Sequence, residues 1–149
     1  MADLYRVFRP RFARWVAWSV AAAVLVAGIA LALALPAVAP GRVPTGDRVG
    51  IVVFSLLVVA FLGRQASVRA VPDKTGLTVR NLLLTRRVAW AEVVSVRFGQ
   101  GRPWVQLDLA DGGTLAVMGV QASDGARATV EAGRLATLVA LHSVTDVDD

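Results

Sequence analysis

The feature that most constrains this chain is a run of 21 residues, 15–35, without a charged side chain. As an α-helix, rising about 1.5 Å per residue, the run would be roughly 31 Å long. A bilayer's hydrocarbon core is about 30 Å thick. Trp15 and Trp18 stand at its start, where indole rings favour the headgroup boundary, and Pro36 and Pro40 predict its end. We therefore expect a membrane span over residues 15–35.

The same region has features of a cleaved signal peptide, which is the alternative interpretation. Basic residues precede the apolar run, and Ala37-Val38-Ala39 fits the small-residue cleavage pattern. However, the run is longer than the usual apolar region of about 7–15 residues. Pro40 would also directly follow the cut, so we favour an uncleaved span.

A second apolar segment, residues 45–63, predicts a second span, whose uncharged part 49–63 would be roughly 22 Å of helix. A buried helix of a soluble protein is the alternative. The Pro- and Gly-rich link between the segments favours a helical hairpin over residues 15–63. Within the first span, a stripe of small residues at helical spacing would let another helix approach closely, the second span being the nearest candidate. These residues are Ala17, Ala21, Gly28 and Ala32.

The positions of the basic residues predict the orientation. Four arginines lie in the N-terminal segment 1–14, and Arg64, Arg69, Lys74 and Arg80 follow the second span, whereas the connecting loop has only Arg42 and Arg48. Because basic loops stay on the cytoplasmic side, both termini are expected inside. The sequence thus predicts a multi-pass plasma-membrane protein with a basic cytoplasmic N-terminus.

After Arg64 the apolar residues alternate with polar ones over several short runs, which is typical of antiparallel strands covered on one face. Asp73-Lys74-Thr75-Gly76 and Asp111-Gly112-Gly113 between the runs have turn chemistry. A final amphipathic helix is expected over residues 123–142, with Ser123 as N-cap. The predicted fold class is an α+β membrane protein: a transmembrane hairpin, then a β-barrel or sandwich over residues 66–142 capped by a helix, then an acidic tail, 143–149.

Three runs of sequence carry a resemblance to a known family: residues 73–81, residues 85–93, and Arg102-Pro103-Trp104 through Asp111-Gly112. They are similar to the pleckstrin-homology (PH) domain of the low molecular weight protein antigen 6 family of actinobacteria. The resemblance covers roughly residues 66–142, and many members also have the preceding pair of spans. It implies a PH-like barrel with one open end closed by the C-terminal helix.

The residue inventory argues against catalysis and against a cofactor or metal. There is no cysteine, and the one histidine, His142, lies on the apolar stripe of the last helix. No serine has an evident general base, and no Gly-rich phosphate loop is present. The net charge of +5 could indicate nucleic acid or an anionic membrane. Because the arginines flank the apolar runs, we expect the membrane and no nucleic acid.

Two sets of residues are candidates for binding. Possible contacts to lipid headgroups are Arg64, Arg69 and Lys74, and possible contacts to a protein partner are Arg86, Arg87, Arg97, Arg102 and Trp104. By the resemblance, Arg69, Lys74 and Arg80 fall where many PH domains hold phosphoinositides, but Asn81-Leu82 replaces the usual basic-x-Arg triplet. The predicted function is a non-catalytic, membrane-anchored module that recruits or stabilises a protein partner. The alternatives are a sensor of anionic lipid headgroups and an accessory subunit of a membrane transport or cell-envelope complex.

Overall fold

The computed structural model describes residues 3–145, with the backbone alone for 144 and 145. The predicted acidic tail beyond residue 145 lies outside the described residues. The helices are α1 (Arg11–Val38), α2 (Thr45–Ala66) and α3 (Ala126–Thr145), and the strands are β1 (Arg69–Pro72), β2 (Gly76–Arg80), β3 (Thr85–Ala89), β4 (Val93–Arg97), β5 (Trp104–Leu109) and β6 (Thr114–Gln121). Residues 14–66 form one compact unit, and residues 3–13 with 67–145 form the other.

The first unit is a helical hairpin. Its helices α1 and α2 have 28 and 22 residues and are long and apolar enough to cross a membrane. The four residues of the predicted small-residue stripe are the buried residues of α1. A Cβ added to Gly28 would lie 2.0 Å from the Ser55 Oγ of α2, so glycine is required for this close approach. The stripe therefore packs within the hairpin.

Helix α1 continues through Pro36 to Val38, so the predicted end of the helix before Pro36 is wrong. A proline inside a helix leaves the carbonyl four residues earlier without its usual N–H donor. Here that carbonyl belongs to Ala32, and Arg48 Nε donates to it at 2.8 Å. The arginine replaces the missing donor, so the carbonyl of Ala32 is satisfied although the helix continues through Pro36.

The second unit contains two three-stranded antiparallel sheets, ordered β1-β2-β3 and β4-β5-β6, and helix α3. Alternate residues of the strands point inward, as the period-two pattern predicted: Leu77, Val79, Val88, Val105, Leu107 and Val117 are buried. Leu135 and Leu138 of α3 complete the same core. The α+β order of two apolar helices, short antiparallel strands and a C-terminal helix is confirmed.

Two local expectations are wrong. The alternation of apolar and polar residues predicts Val94, Val96 and Phe98 on one inward face, but a register shift between Val93 and Ser95 leaves Val94 67% exposed. Such a bulge adds one residue to a strand and turns it out of the alternation. The last helix begins at Ala126 rather than at a Ser123 cap, because a 3-10 turn occupies Ala122–Asp124.

The N-terminal segment before α1 belongs to the second unit. Phe8 is 0% exposed within its core, and the backbone N–H of Phe8 donates to Ala70 O at 2.8 Å while Ala70 N–H donates to Phe8 O at 3.0 Å. A Cβ on Gly119 of β6 would lie only 2.9 Å from Ala70 N and 3.0 Å from Phe8 O. The absence of a side chain at Gly119 leaves the space for this pairing.

Candidate interaction surfaces

His142 has a packing role in the domain. Its ring stacks on Trp90 with 5.3 Å between centroids, and its Nε2 lies 2.8 Å from the hydroxyl of Tyr5. Trp90 itself is buried and donates from Nε1 to Asp73 O at 2.9 Å. Within residues 3–145, no group of three or more His, Asp or Glu side chains is arranged to hold a metal ion. The geometry of His142 is therefore that of a partly buried residue that packs against Trp90 and Tyr5.

Two of the residues predicted to contact lipid, Arg69 and Lys74, lie at opposite ends of β1. Arg69 begins β1, whereas Lys74 lies in the turn after that strand, beyond its other end. Arg64 lies in the last turn of α2, in the other unit. The neighbour that β1 gives Arg69 is Arg80, its direct partner on β2. Opposed residues of antiparallel strands share a face, so the structure brings Arg69 beside Arg80 and separates it from Lys74.

The residues predicted to contact a partner fall on both sheets. On the first sheet, Arg87 forms a two-pronged ion pair with Asp73 at 2.7 and 3.0 Å. The hydrogen bonds from Arg87 and from the Thr75 N–H hold the pKa of Asp73 well below its usual range. Arg86 lies 3.8 Å from Asp111. The guanidinium of Arg87 is thus engaged in fixing the β1–β2 turn.

On the second sheet, Arg97 and Trp104 lie on the outer face, and Arg102 lies in the loop before β5. Arg97 is opposite Gln106, and Arg102 Nε donates to the Gln106 side chain at 3.3 Å. Asp108 accepts hydrogen bonds from Ser95 and Arg97, which lower its pKa. Trp104 is partly exposed in the same outward phase as Gln106 and Asp108. These three predicted residues form one surface, here called the β5 face.

Two features escaped the sequence reasoning. The first is a cluster around the buried Glu131, which forms ion pairs with Arg134, Arg6 and Arg127. Arg134 also donates hydrogen bonds to the carbonyls of Leu4 and Arg6. Its guanidinium carbon lies 3.7 Å from the centroid of the Phe8 ring. Apolar residues among the N-terminal arginines were the available signal for it. The second is the exposed Leu83-Leu84 pair between β2 and β3. A run of three leucines after Asn81 was its signal in the sequence.

Comparisons with known proteins agree with this architecture. The profile of the bacterial PH domain matches residues 66–137. Relatives include an uncharacterized protein of Mycobacterium bovis and two of Mycobacterium tuberculosis strains. Each is 35% identical over 137 residues, which are 91% of this chain and 89% of the relative. No solved structure gives a significant match. The predicted resemblance is confirmed, and the chain belongs to the bacterial PH-domain proteins.

Proposed function

We propose that this protein is a non-catalytic PH-like interaction module, anchored in the plasma membrane by α1 and α2, that recruits or stabilises a protein partner at the cytoplasmic face. The observation on which this depends is the pairing of a bacterial PH domain with two apolar helices in one chain. Tethering keeps such a domain close to its membrane partners, so that it needs little affinity of its own.

The exposed surface of the helical hairpin supports the membrane anchor. Apolar side chains around both helices are largely exposed, among them Val26 at 67%, Leu33 at 68% and Phe54 at 66%. Helices that are apolar on all sides need an apolar environment, and the hydrocarbon core of a bilayer provides one. A core helix of a soluble protein would have these side chains covered.

The N-terminal segment supports an uncleaved anchor with both ends on one side. Residues 3–10, which precede α1, and residues 11–13 of its first turn pack in the same unit as residues 67–145, which follow α2. A hairpin whose two ends enter one folded domain crosses the membrane an even number of times. Cleavage after Ala39 would remove the core residue Phe8, so a signal peptide is disfavoured. The arginines on both sides of the hairpin support a cytoplasmic location for that domain.

The β5 face is the best-supported site for the partner. It combines a partly exposed Trp104 with Arg97 and Arg102, and tryptophan and arginine are enriched among residues that dominate binding at protein interfaces. The accessory-subunit alternative loses support, since the small-residue stripe of α1, a surface through which a membrane subunit could assemble, is buried in the hairpin.

The test is photo-crosslinking in cells, with a photoreactive phenylalanine analogue in place of Trp104. A matched variant has the analogue at Thr137, an exposed residue of α3. We expect a discrete higher-mass adduct at position 104, reduced at least fivefold in an Arg97→Ala, Arg102→Ala background, and little adduct at position 137. Equal adducts at the two positions, or none at position 104, would overturn the β5 face as the partner site.

A further inference from the structure

The tip of the β2–β3 hairpin presents two leucines to solvent. Leu83 is 82% and Leu84 75% exposed. No other large apolar side chain in the described part of the domain is as exposed, the next being Val130 at 70%. Adjacent apolar side chains at a hairpin tip cost free energy in water, so the tip is a candidate for contact with an apolar phase.

The hairpin tip is held firmly to the body of the domain. The backbone N–H of Asn81 donates to Leu84 O at 2.8 Å and closes the turn. The Asn81 side chain donates to Ala116 O at 2.8 Å and accepts from the Met118 N–H at 3.2 Å, which ties the turn to β6. The two leucines are therefore exposed on a turn that hydrogen bonds hold in place.

Basic residues flank the tip. Arg80 is the last residue of β2, directly before the turn, and is opposed by Arg69 of β1 on one side and Thr85 of β3 on the other. Side chains opposed in antiparallel strands share a face, so two guanidinium groups lie in one row at the end of the sheet that contains Leu83 and Leu84. Exposed apolar residues with arginines at their edge are the composition of peptides and loops that enter an anionic membrane surface.

Strand β1 follows α2 closely in the chain. Strand β1 begins at Arg69, three residues after α2 ends at Ala66. The row of basic residues therefore follows the proposed anchor after a short link in the chain.

We infer that the β2–β3 hairpin is a second membrane contact, in which Leu83 and Leu84 enter the headgroup region of an anionic leaflet and Arg69 and Arg80 contact lipid phosphates. The inference rests on the proposed anchoring by α1 and α2. Its consequence is orientation: a domain held by the hairpin tip as well as by its anchor presents the β5 face in a fixed direction.

The absence of natural cysteines allows a direct test in the full-length chain. A fluorophore on Thr85→Cys reports beside the leucines without replacing them. The same fluorophore on Leu57→Cys of α2 and on Val130→Cys of α3 gives the membrane and solvent references, since both side chains are exposed at 64% and 70%. Each variant is placed in nanodiscs with one chain per disc, containing anionic phosphatidylglycerol and a lipid with a nitroxide quencher in its headgroup region or at mid-chain.

We expect the headgroup-region quencher to lower the emission at position 85 at least twofold relative to position 130. Leu83→Ser with Leu84→Ser should abolish that difference, and Arg69→Gln with Arg80→Gln, or discs of phosphatidylcholine alone, should weaken it at least twofold. The mid-chain quencher should act at position 57.

The outcomes separate the two proposals. In one outcome, the mid-chain quencher acts at position 57 but position 85 is quenched no more than position 130. That result overturns the hairpin contact and leaves the anchor intact. No quenching at position 57 overturns the anchor itself. Quenching at position 85 that neither the serine nor the glutamine variants reduce also overturns the inference. So does quenching at position 85 that appears only with two chains per disc, because a second copy would then cover the tip.

Discussion

At the scale of single residues, Phe8 attaches the N-terminal segment to the core of the domain. It comes from a segment rich in arginine, yet it is fully buried in the core and lies 3.7 Å, ring centroid to Cζ, from Arg134. A cation over an aromatic face adds to the hydrophobic burial of the ring. The N-terminal segment is therefore a structural part of the domain.

Phe8→Ala should lower the free energy of unfolding of the domain by about 3–5 kcal/mol, because it removes a buried aromatic side chain and leaves a cavity. Denaturation of the full-length chain in detergent by urea, followed by tryptophan fluorescence, measures the change. Phe12→Ala is the matched control, since Phe12 is 58% exposed. Its effect should stay within about 0.5 kcal/mol. Similar losses for the two variants would contradict the placement of Phe8 in the core.

Asp73→Asn tests the ion pair with Arg87. Hydrogen bonds from Arg87 and Thr75 lower the pKa of Asp73 from its value of 3.8 in an unstructured chain. A carboxylate whose pKa is lower in the folded than in the unfolded chain stabilises the fold at pH values above the unfolded-chain pKa. This stabilisation is lost as the pH falls from the unfolded-chain pKa towards the folded one. The variant should therefore melt below the wild type at pH 7, and the gap should narrow from about pH 4 downward.

Thermal melts of the full-length chain at several pH values measure this gap. The control is Asp111→Asn, because Asp111 also accepts a turn N–H, from Gly113, but is paired with Arg86 only at 3.8 Å. Its melting temperature should differ little from the wild type at any pH. A gap for Asp73→Asn that stays constant between pH 7 and pH 3 would show that the carboxylate charge contributes nothing.

At the scale of elements, the contact between α1 and α2 is formed by small side chains. Gly28 meets Ser55, whose hydroxyl donates to Ile51 O in its own helix at 2.8 Å and is therefore satisfied at the interface. The bond from Arg48 to the Ala32 carbonyl adds a polar contact near the loop between the helices. Close backbone approach and satisfied polar groups are the usual basis of helix association in an apolar phase.

Gly28→Leu should separate α1 from α2, because even its Cβ would overlap Ser55 Oγ. Gly50→Leu in α2 is the matched control, since a Cβ there meets no atom within 4 Å. Both substitutions raise helix propensity by a similar amount. The difference between the melting temperatures of the two variants therefore reports the packing at Gly28. In detergent, we expect the Gly28 variant to melt at least several degrees below the Gly50 variant. Equal melting temperatures would mean that this contact contributes little to stability.

At the scale of the whole molecule, the two ends of the apolar hairpin belong to one folded domain. The segment before α1 and the chain after α2 share the core that contains Phe8 and Ala70. If α1 and α2 cross the membrane, the domain lies on one side and the loop between the helices lies on the other. By the proposed orientation, which follows the arginine distribution, the side that holds the domain is the cytoplasm.

Single cysteines introduced into the cysteine-free chain test this topology. A membrane-impermeant maleimide added to spheroplasts should label Pro40→Cys in the loop between α1 and α2. It should label Ala140→Cys, exposed on α3, only after the membrane is permeabilised. Labelling of position 140 in intact spheroplasts would contradict the cytoplasmic location of the domain.

The sequence by itself determined the elements of this protein. The uncharged run 15–35, the period-two alternation after Arg64 and the apolar stripe of the last helix predicted the two apolar helices, the antiparallel strands and α3. These signals depend on neighbouring residues, and an amphipathic or fully apolar pattern has few solutions in water or lipid. In the same local pattern Trp90 shares the phase of Val88 and is buried, whereas Trp104 shares the phase of Gln106 and is partly exposed.

Only the tertiary structure decided which residues meet. Phe8 reaches Ala70 across 62 positions, Arg134 binds the carbonyl of Leu4 across 130, and Arg69 has Arg80 rather than Lys74 as its neighbour. Such contacts follow from strand register and from the docking of distant segments, which local periodicity does not encode. The apolar helices were therefore readable from the sequence, whereas the attachment of the N-terminal segment and the surface around Leu83 required the folded chain.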